Sequence, residues 1–153
     1  MRIGMFCRFS NLLIWSAALF LTSNSMGSLS VEEAVQKRIE KFKLSQTNLK
    51  KLSKFIRSGD LSASGYLVDF HVEWSGEMLH LFPAGSEAST YNGSDASSDI
   101  WRDTAGFKKQ VTQYNSSSKA LREAIKSRNI SEINETFKGL VESCKSCHKQ
   151  FRN

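Results

Sequence analysis

Apolar positions recur along the chain at alternating steps of three and four in four separate stretches, the spacing that aligns side chains on one face of a helix. From Leu29 to Ser58 the series is Val31, Val35, Phe42, Leu49, Leu52 and Ile56, and Gly59-Asp60 supplies a stop and a fresh N-cap. A second helix is predicted from Asp60 to His80, with Leu61, Gly65, Val68, Val72, Gly76 and Leu79 as its seam. On its other side Tyr66, Phe70 and Trp74 follow one another four residues apart, a second apolar face that suits either packing under the next loop or a subunit contact. Ser98 or Asp99 caps a third helix, with Ile100, Thr104, Phe107, Val111, Tyr114, Ser118, Leu121 and Ile125 in one stripe. Ser131 opens a fourth, on which Ile133, Phe137, Leu140, Val141, Cys144, His148 and Phe151 are continuous, so these side chains are expected to point into the core.

The breaks between stretches fix the architecture. Gly59 and Asn129 mark short connections, whereas Phe82 to Asp99 is a long crossing rich in Gly, Ser, Asn and Asp that holds the sole proline, Pro83. Short connections join antiparallel neighbours, so the prediction is all-α: one antiparallel four-helix bundle spanning residues 28–153. A single proline and 24% charged residues agree with long helices.

Ahead of the bundle, residues 1–27 read as an export signal. Arg2 and Arg8 open it, Leu12 to Leu21 form an apolar run too short for a comfortable membrane span, and small polar residues close it. The expectation is a periplasmic product with no membrane span after cleavage. Cys7 precedes the apolar run, so no lipoprotein cleavage site is indicated, and the residue leaves with the signal. The formal charge of +6 falls to about +4 without Arg2 and Arg8. This excess reads as spread along the chain, with no basic run interleaved with aromatics, which argues against nucleic acid and favours an acidic protein partner.

The chemistry concentrates in Cys144-Lys145-Ser146-Cys147-His148, near the C-terminus. Two cysteines three apart with a histidine directly after the second form the attachment signature of a c-type haem. On a helix all three share a face, so two thioethers and one axial nitrogen can hold one porphyrin. Zinc fits poorly, because an adjacent Cys-His pair closes badly on one tetrahedral ion and no second CxxC or His-rich pair completes a site. A thioredoxin-like redox pair would need a βαβ context, and a plain disulfide would leave His148 without a role. In the first helix Arg38 falls on the apolar stripe with no acidic residue of that helix beside it, so it either pairs with a haem propionate or snorkels to the bundle end.

A haem motif on the last helix of a bundle resembles the cytochrome c prime family. The resemblance covers essentially the whole mature chain: Arg38 with Phe42-Lys43, Leu81-Phe82-Pro83-Ala84-Gly85-Ser86, Asp99-Ile100-Trp101-Arg102-Asp103 with Phe107, and Cys144 to Arg152. Phe151 stands where tyrosine is common in the family. The resemblance implies one covalently attached haem c, with thioethers at Cys144 and Cys147, His148 as proximal iron ligand, Arg38 on a propionate and Arg152 on the proximal side. Low-spin members carry methionine four residues after the arginine; here Phe42 cannot ligate iron and would cover the distal face. Met1, Met5 and Met26 lie in the leader, Met78 lies off the second helix's seam, and His71 and His80 read as surface residues.

Five-coordinate, high-spin iron is therefore expected. The corresponding function is electron transfer with a redox partner protein, or binding of a small neutral gas such as NO or CO at the open iron face. Enzyme activity is not expected, since peroxidase chemistry would need distal acid-base groups. A homodimer through Tyr66, Phe70 and Trp74 is left open.

Overall fold

The computed structural model describes residues 29–91 and 93–153; the export signal expected at 1–27, with Cys7, Met1, Met5 and Met26, lies outside the described residues. Helix α1 (Val31–Ser58) starts where Ser30 and Glu33 cap each other reciprocally: the Ser30 hydroxyl accepts from the Glu33 amide at 3.2 Å and the Glu33 carboxylate from the Ser30 amide at 2.8 Å. It ends at Gly59, whose φ of 71° is the left-handed conformation that lets the chain reverse.

Helix α2 (Ser64–Glu77) begins four residues later than predicted, because the Asp60 carboxylate accepts from the Ser62 amide in a turn instead of capping the helix. A tight 3-10 turn, Met78–Leu81, extends it. The buried face of α2 is also not the expected seam. Leu67, Val68, His71, Trp74, Ser75 and Met78 face inward, while Gly76 and Leu79 are exposed. The expected seam contained two glycines and so little area to bury; turning the helix by about 100° places Trp74 inside instead, a much larger apolar gain. Tyr66 is 77% exposed, so the run Tyr66, Phe70, Trp74 is divided between solvent and core rather than forming one outer face.

The predicted third helix is broken in two. Ser97 Oγ accepts from the Asp99 amide at the start of the short helix α3 (Asp99–Arg102). Asp103 then leaves helical geometry and its carboxylate accepts from the Gly106 amide at 2.8 Å, starting α4 (Thr104–Ser127). Thr104 is exposed in consequence, while Phe107, Val111, Tyr114, Ser118, Leu121 and Ile125 form the core stripe as expected. Arg128 adopts φ 56° in the tight reversal to α5 (Ile130–Phe151), whose N-cap is Asn129.

Around the bundle α4 packs most extensively on α5 and α2, and α1 packs on α2; α1 and α5 barely meet. The loose seam between α1 and α5 is the feature that positions the site. Across one end of it runs the crossing loop, tied to the C-terminus by backbone hydrogen bonds that the Ser97 amide donates to the Phe151 carbonyl (3.0 Å) and the Asn153 amide to the Asp95 carbonyl (2.9 Å). No helix among the described residues is long and apolar enough to cross a membrane.

His71, expected on the surface, is fully buried, with its Nδ1 2.7 Å from the Tyr114 hydroxyl and its Nε2 without a partner among the described residues. Burial lowers its pKa from 6.5 to about 4. The native protein thus keeps the ring neutral while the unfolded chain takes up a proton, so the stability it contributes is complete above pH 6.5 and is lost as pH falls through about 4. Urea midpoints of the holoprotein should drop over this window, by about 3 kcal/mol for the full shift, and the His71→Gln variant should show a much flatter profile. Equal slopes would mean that other groups carry the acid sensitivity. A Cβ added at Gly106 would collide with the Asp103 carboxylate, so Gly106→Ala should break the α4 cap and cost about 1 kcal/mol, read as a lower Tm.

Candidate functional site

Two cavities open along the α1–α5 seam, of about 230 and 350 Å³, and they share the walls Phe42, Lys43, Cys147, His148 and Arg152. The smaller also involves Arg38, Phe82, Ile100, Phe107 and Phe151; the larger involves Tyr114, Met78, Val141 and Cys144. Cys144, Cys147 and His148 are thus brought together on one face of α5, as their spacing predicts. They line an open groove rather than pointing into a closed core: both thiols are half-buried and His148 is exposed. The reason is the sparse α1–α5 contact, which leaves this part of the α5 stripe only partly covered.

Both thiols are free, and burial raises both pKa values, that of Cys147 to about 11 with help from the neighbouring Cys144. They are therefore protonated thiols at neutral pH, and no cluster of three or more His, Cys, Asp and Glu suited to a metal ion exists among the described residues. The described residues thus bring no further donors to the Cys-His set that a tetrahedral zinc site would need. Burial against the groove wall, followed by the nearby Arg152 charge, lowers the His148 pKa, with Asp95 opposing. The imidazole is neutral at pH 7 and keeps a lone pair to donate.

Phe42 stands opposite His148, the ring centroids 6.2 Å apart and nearly perpendicular. Trp74 behind it (5.2 Å) and Phe82 beside it (6.5 Å) hold the ring edge-to-face. The sequence reading found Phe42 only through the family resemblance; the Trp74 backing was hidden because the wrong face of α2 was taken as its seam.

Arg38 does not snorkel. It is 2% exposed and donates to the Leu81 carbonyl (3.0 Å), the Ser86 hydroxyl (2.6 Å) and carbonyl, and the Ser94 hydroxyl (2.9 Å), with its guanidinium 4.5 Å from the centre of the Phe82 ring. Burial lowers its pKa to about 10, so it remains charged at neutral pH. No carboxylate among the described residues neutralises it, and it forms part of the smaller cavity's wall. Arg152 is exposed, and its Nε and Nη2 donate to the Asp95 carboxylate at 3.0 and 2.6 Å. Asp95, Lys43 and Tyr114 are site residues that the sequence did not reveal: each reaches the groove from an element whose placement is set by long-range packing. Met78, expected off its helix's seam, is 4% exposed and lines the larger cavity.

The donor set fits a covalently held haem. Two protonated thiols and a neutral imidazole share one face, the cavities flank them with mostly apolar and aromatic walls, and a buried cation without an anion sits beside one cavity. Among solved structures the chain is similar to cytochrome c′ from Thermochromatium tepidum (TM-score 0.74, 16% identity, covering 82% of this chain and 98% of that one). It is also similar to cytochrome c′ from Rubrivivax gelatinosus (TM-score 0.73, 20% identity, 83% and 100%). A nitric oxide complex of a variant cytochrome c prime from Alcaligenes xylosoxidans gives a TM-score of 0.71 at 23% identity, covering 81% and 96%. No curated protein matches the chain. The family model described as Cytochrome C′ matches residues 33–152, nearly the whole bundle. With the groove, the thiol pair and the imidazole in place, the match shows that the chain belongs to the cytochrome c′ family, four-helix-bundle proteins whose cofactor is covalently attached haem c.

Proposed function

We propose that this protein is an exported, periplasmic electron carrier whose haem c is attached at Cys144 and Cys147 and ligated by His148. The observation that carries the reading is the shared groove, in which both thiols and a neutral imidazole face Phe42 across a 6.2 Å separation of ring centroids. When bound, haem c supplies a one-electron Fe(III)/Fe(II) couple. His148 offers the axial nitrogen. Phe42 offers no lone pair and keeps water-stabilised polar ligands away from the opposite face. Arg38, charged and without a carboxylate, is the suitable partner for a propionate at the smaller cavity. Arg152, tied to Asp95, closes the proximal side. The side chain opposite His148 is Phe42, which can neither donate nor accept a proton, and this favours a non-enzymatic role.

The second reading, capture of NO or another neutral diatomic, rests on the same Phe42: iron with no protein ligand opposite His148 is open to an exogenous one. A carrier would gain from constant coordination, which gives this alternative its weight. The relative from Alcaligenes xylosoxidans, known in a nitric oxide complex, is consistent with it.

Visible spectra of the exported holoprotein, oxidised and reduced, with and without NO, test the coordination. A high-spin spectrum that changes with NO supports an open iron face; a low-spin spectrum indifferent to NO overturns it, and reversal by Met78→Leu would then identify the missed ligand. Phe42→Met should convert the iron to low-spin and suppress the NO response. Replacing His148 by Ala should abolish the parental spectrum, whose survival would refute the axial assignment.

A further inference from the structure

Residues 41–58, the second half of α1, contain Lys41, Lys43, Lys50, Lys51, Lys54 and Arg57 and not one Asp or Glu. These six cations equal the formal net charge of +6 for the whole chain, so the remainder balances to zero. The positive excess that reads as dispersed along the sequence is concentrated on one half-helix.

Lys43, Lys50, Lys54 and Arg57 are separated by seven, four and three residues, which puts them on a single stripe, and all four are exposed. Among the described residues only Lys41 of the six joins an ion pair, with Glu77 at 3.3 Å. Like charges three and four apart destabilise a helix by about 0.2–0.5 kcal/mol per pair; Arg57, in the last turn, is favoured by the helix dipole, but no carboxylate among the described residues pairs with the stripe. The stripe continues into the groove: Lys43 is a wall of both cavities, Arg152 shares both, and Lys145 lines the larger. Glu142 pairs with Lys145 and Asp95 with Arg152, which leaves Lys43, on the walls of both cavities with His148, without an ion pair among the described residues.

We propose that this stripe and the adjoining mouth of the groove form the docking surface for an acidic redox protein, whose carboxylates seat on α1 and bring its own centre against the haem edge. The inference rests on the electron-transfer reading above. A lipid surface suits it less, because the apolar face of α1 is turned into the core and Leu44 is the single large apolar side chain exposed on this half-helix. Complementary charge raises association rates by about 10- to 1,000-fold and loses effect as salt rises.

The test is the second-order rate of reduction of the holoprotein by a reduced plant-type ferredoxin, an acidic iron-sulfur protein, across a range of ionic strength. Lys50→Glu/Lys54→Glu should slow the reaction by about tenfold or more at low salt, with the difference vanishing at high salt. The neutralising pair Lys50→Gln/Lys54→Gln should give an intermediate rate. Lys109→Glu/Lys119→Glu on α4, which changes net charge equally, should have less than about a twofold effect. Equal losses from the α1 and α4 reversals would overturn the docking surface, since net charge alone would then explain the rate. So would α1-dependent co-sedimentation with phosphatidylglycerol vesicles and an unchanged ferredoxin rate, which would assign the stripe to a membrane. Haem that dithionite cannot cycle between its two redox states would instead defeat the electron-transfer reading itself, while cycling haem insensitive to the α1 changes defeats only the docking proposal.

Discussion

Everything specific to this protein depends on two helices being kept from packing on each other. In a bundle of four amphipathic helices, adjacent faces ordinarily close to bury their apolar stripes. Here α4 closes on α5 and on α2, and α1 on α2, but the α1–α5 seam stays open. Phe42 on one wall and the Cys144, Cys147 and His148 cluster on the other present more apolar and half-buried surface than a free groove would sustain. A flat hydrophobic cofactor resolves that deficit and completes the core. Cofactor attachment is thus part of the packing of this fold.

Arg38 is the second constraint, and it links the groove to the crossing loop. A buried guanidinium is tolerable only when its donors are met. Leu81, Ser86 and Ser94 meet them, and in doing so fix both ends of the loop that borders the smaller cavity. The same loop is stitched to the C-terminus next to His148 through Ser97, Asp95 and Arg152. One cation therefore holds the loop in place, the loop holds the C-terminal residues, and the imidazole lies between them. The charge that Arg38 retains is available to an anion in the adjacent cavity.

The cationic half of α1 makes sense against this arrangement. Apart from Lys41, paired with Glu77 of α2, its charges lie at the flank of the seam without an ion pair among the described residues, where a partner protein would meet the cofactor's accessible edge. The proposed electron transfer and the alternative gas capture would draw on different parts of the structure, the first on the rim, the second on the apolar wall at Phe42. The two are compatible in one molecule because rim charge and wall polarity are set by separate faces of the same helix.

The sequence by itself determined the shared face of Cys144, Cys147 and His148 and the bundle, because both are written in local spacing: the three side chains share a face by helical geometry, and the stripes of α1, α4 and α5 repeat at the helical period. Arg38 was legible as a charge on an apolar face, though not the polar loop groups that hold it. Only the tertiary structure decided the rest. Which face of α2 turns inward depended on the area of Trp74 against two glycines, a competition settled by neighbours on α1 and α4 rather than by periodicity. The burial of His71 followed from that rotation, as did the support behind Phe42. The break at Asp103 came from one cap prevailing over a continuous stripe. The pairing of Asp95 with Arg152, 57 residues apart, has no local signature at all. Local spacing shows which side chains share a face; it does not show what that face will meet, and the opening between α1 and α5 is a property of two faces that never closed.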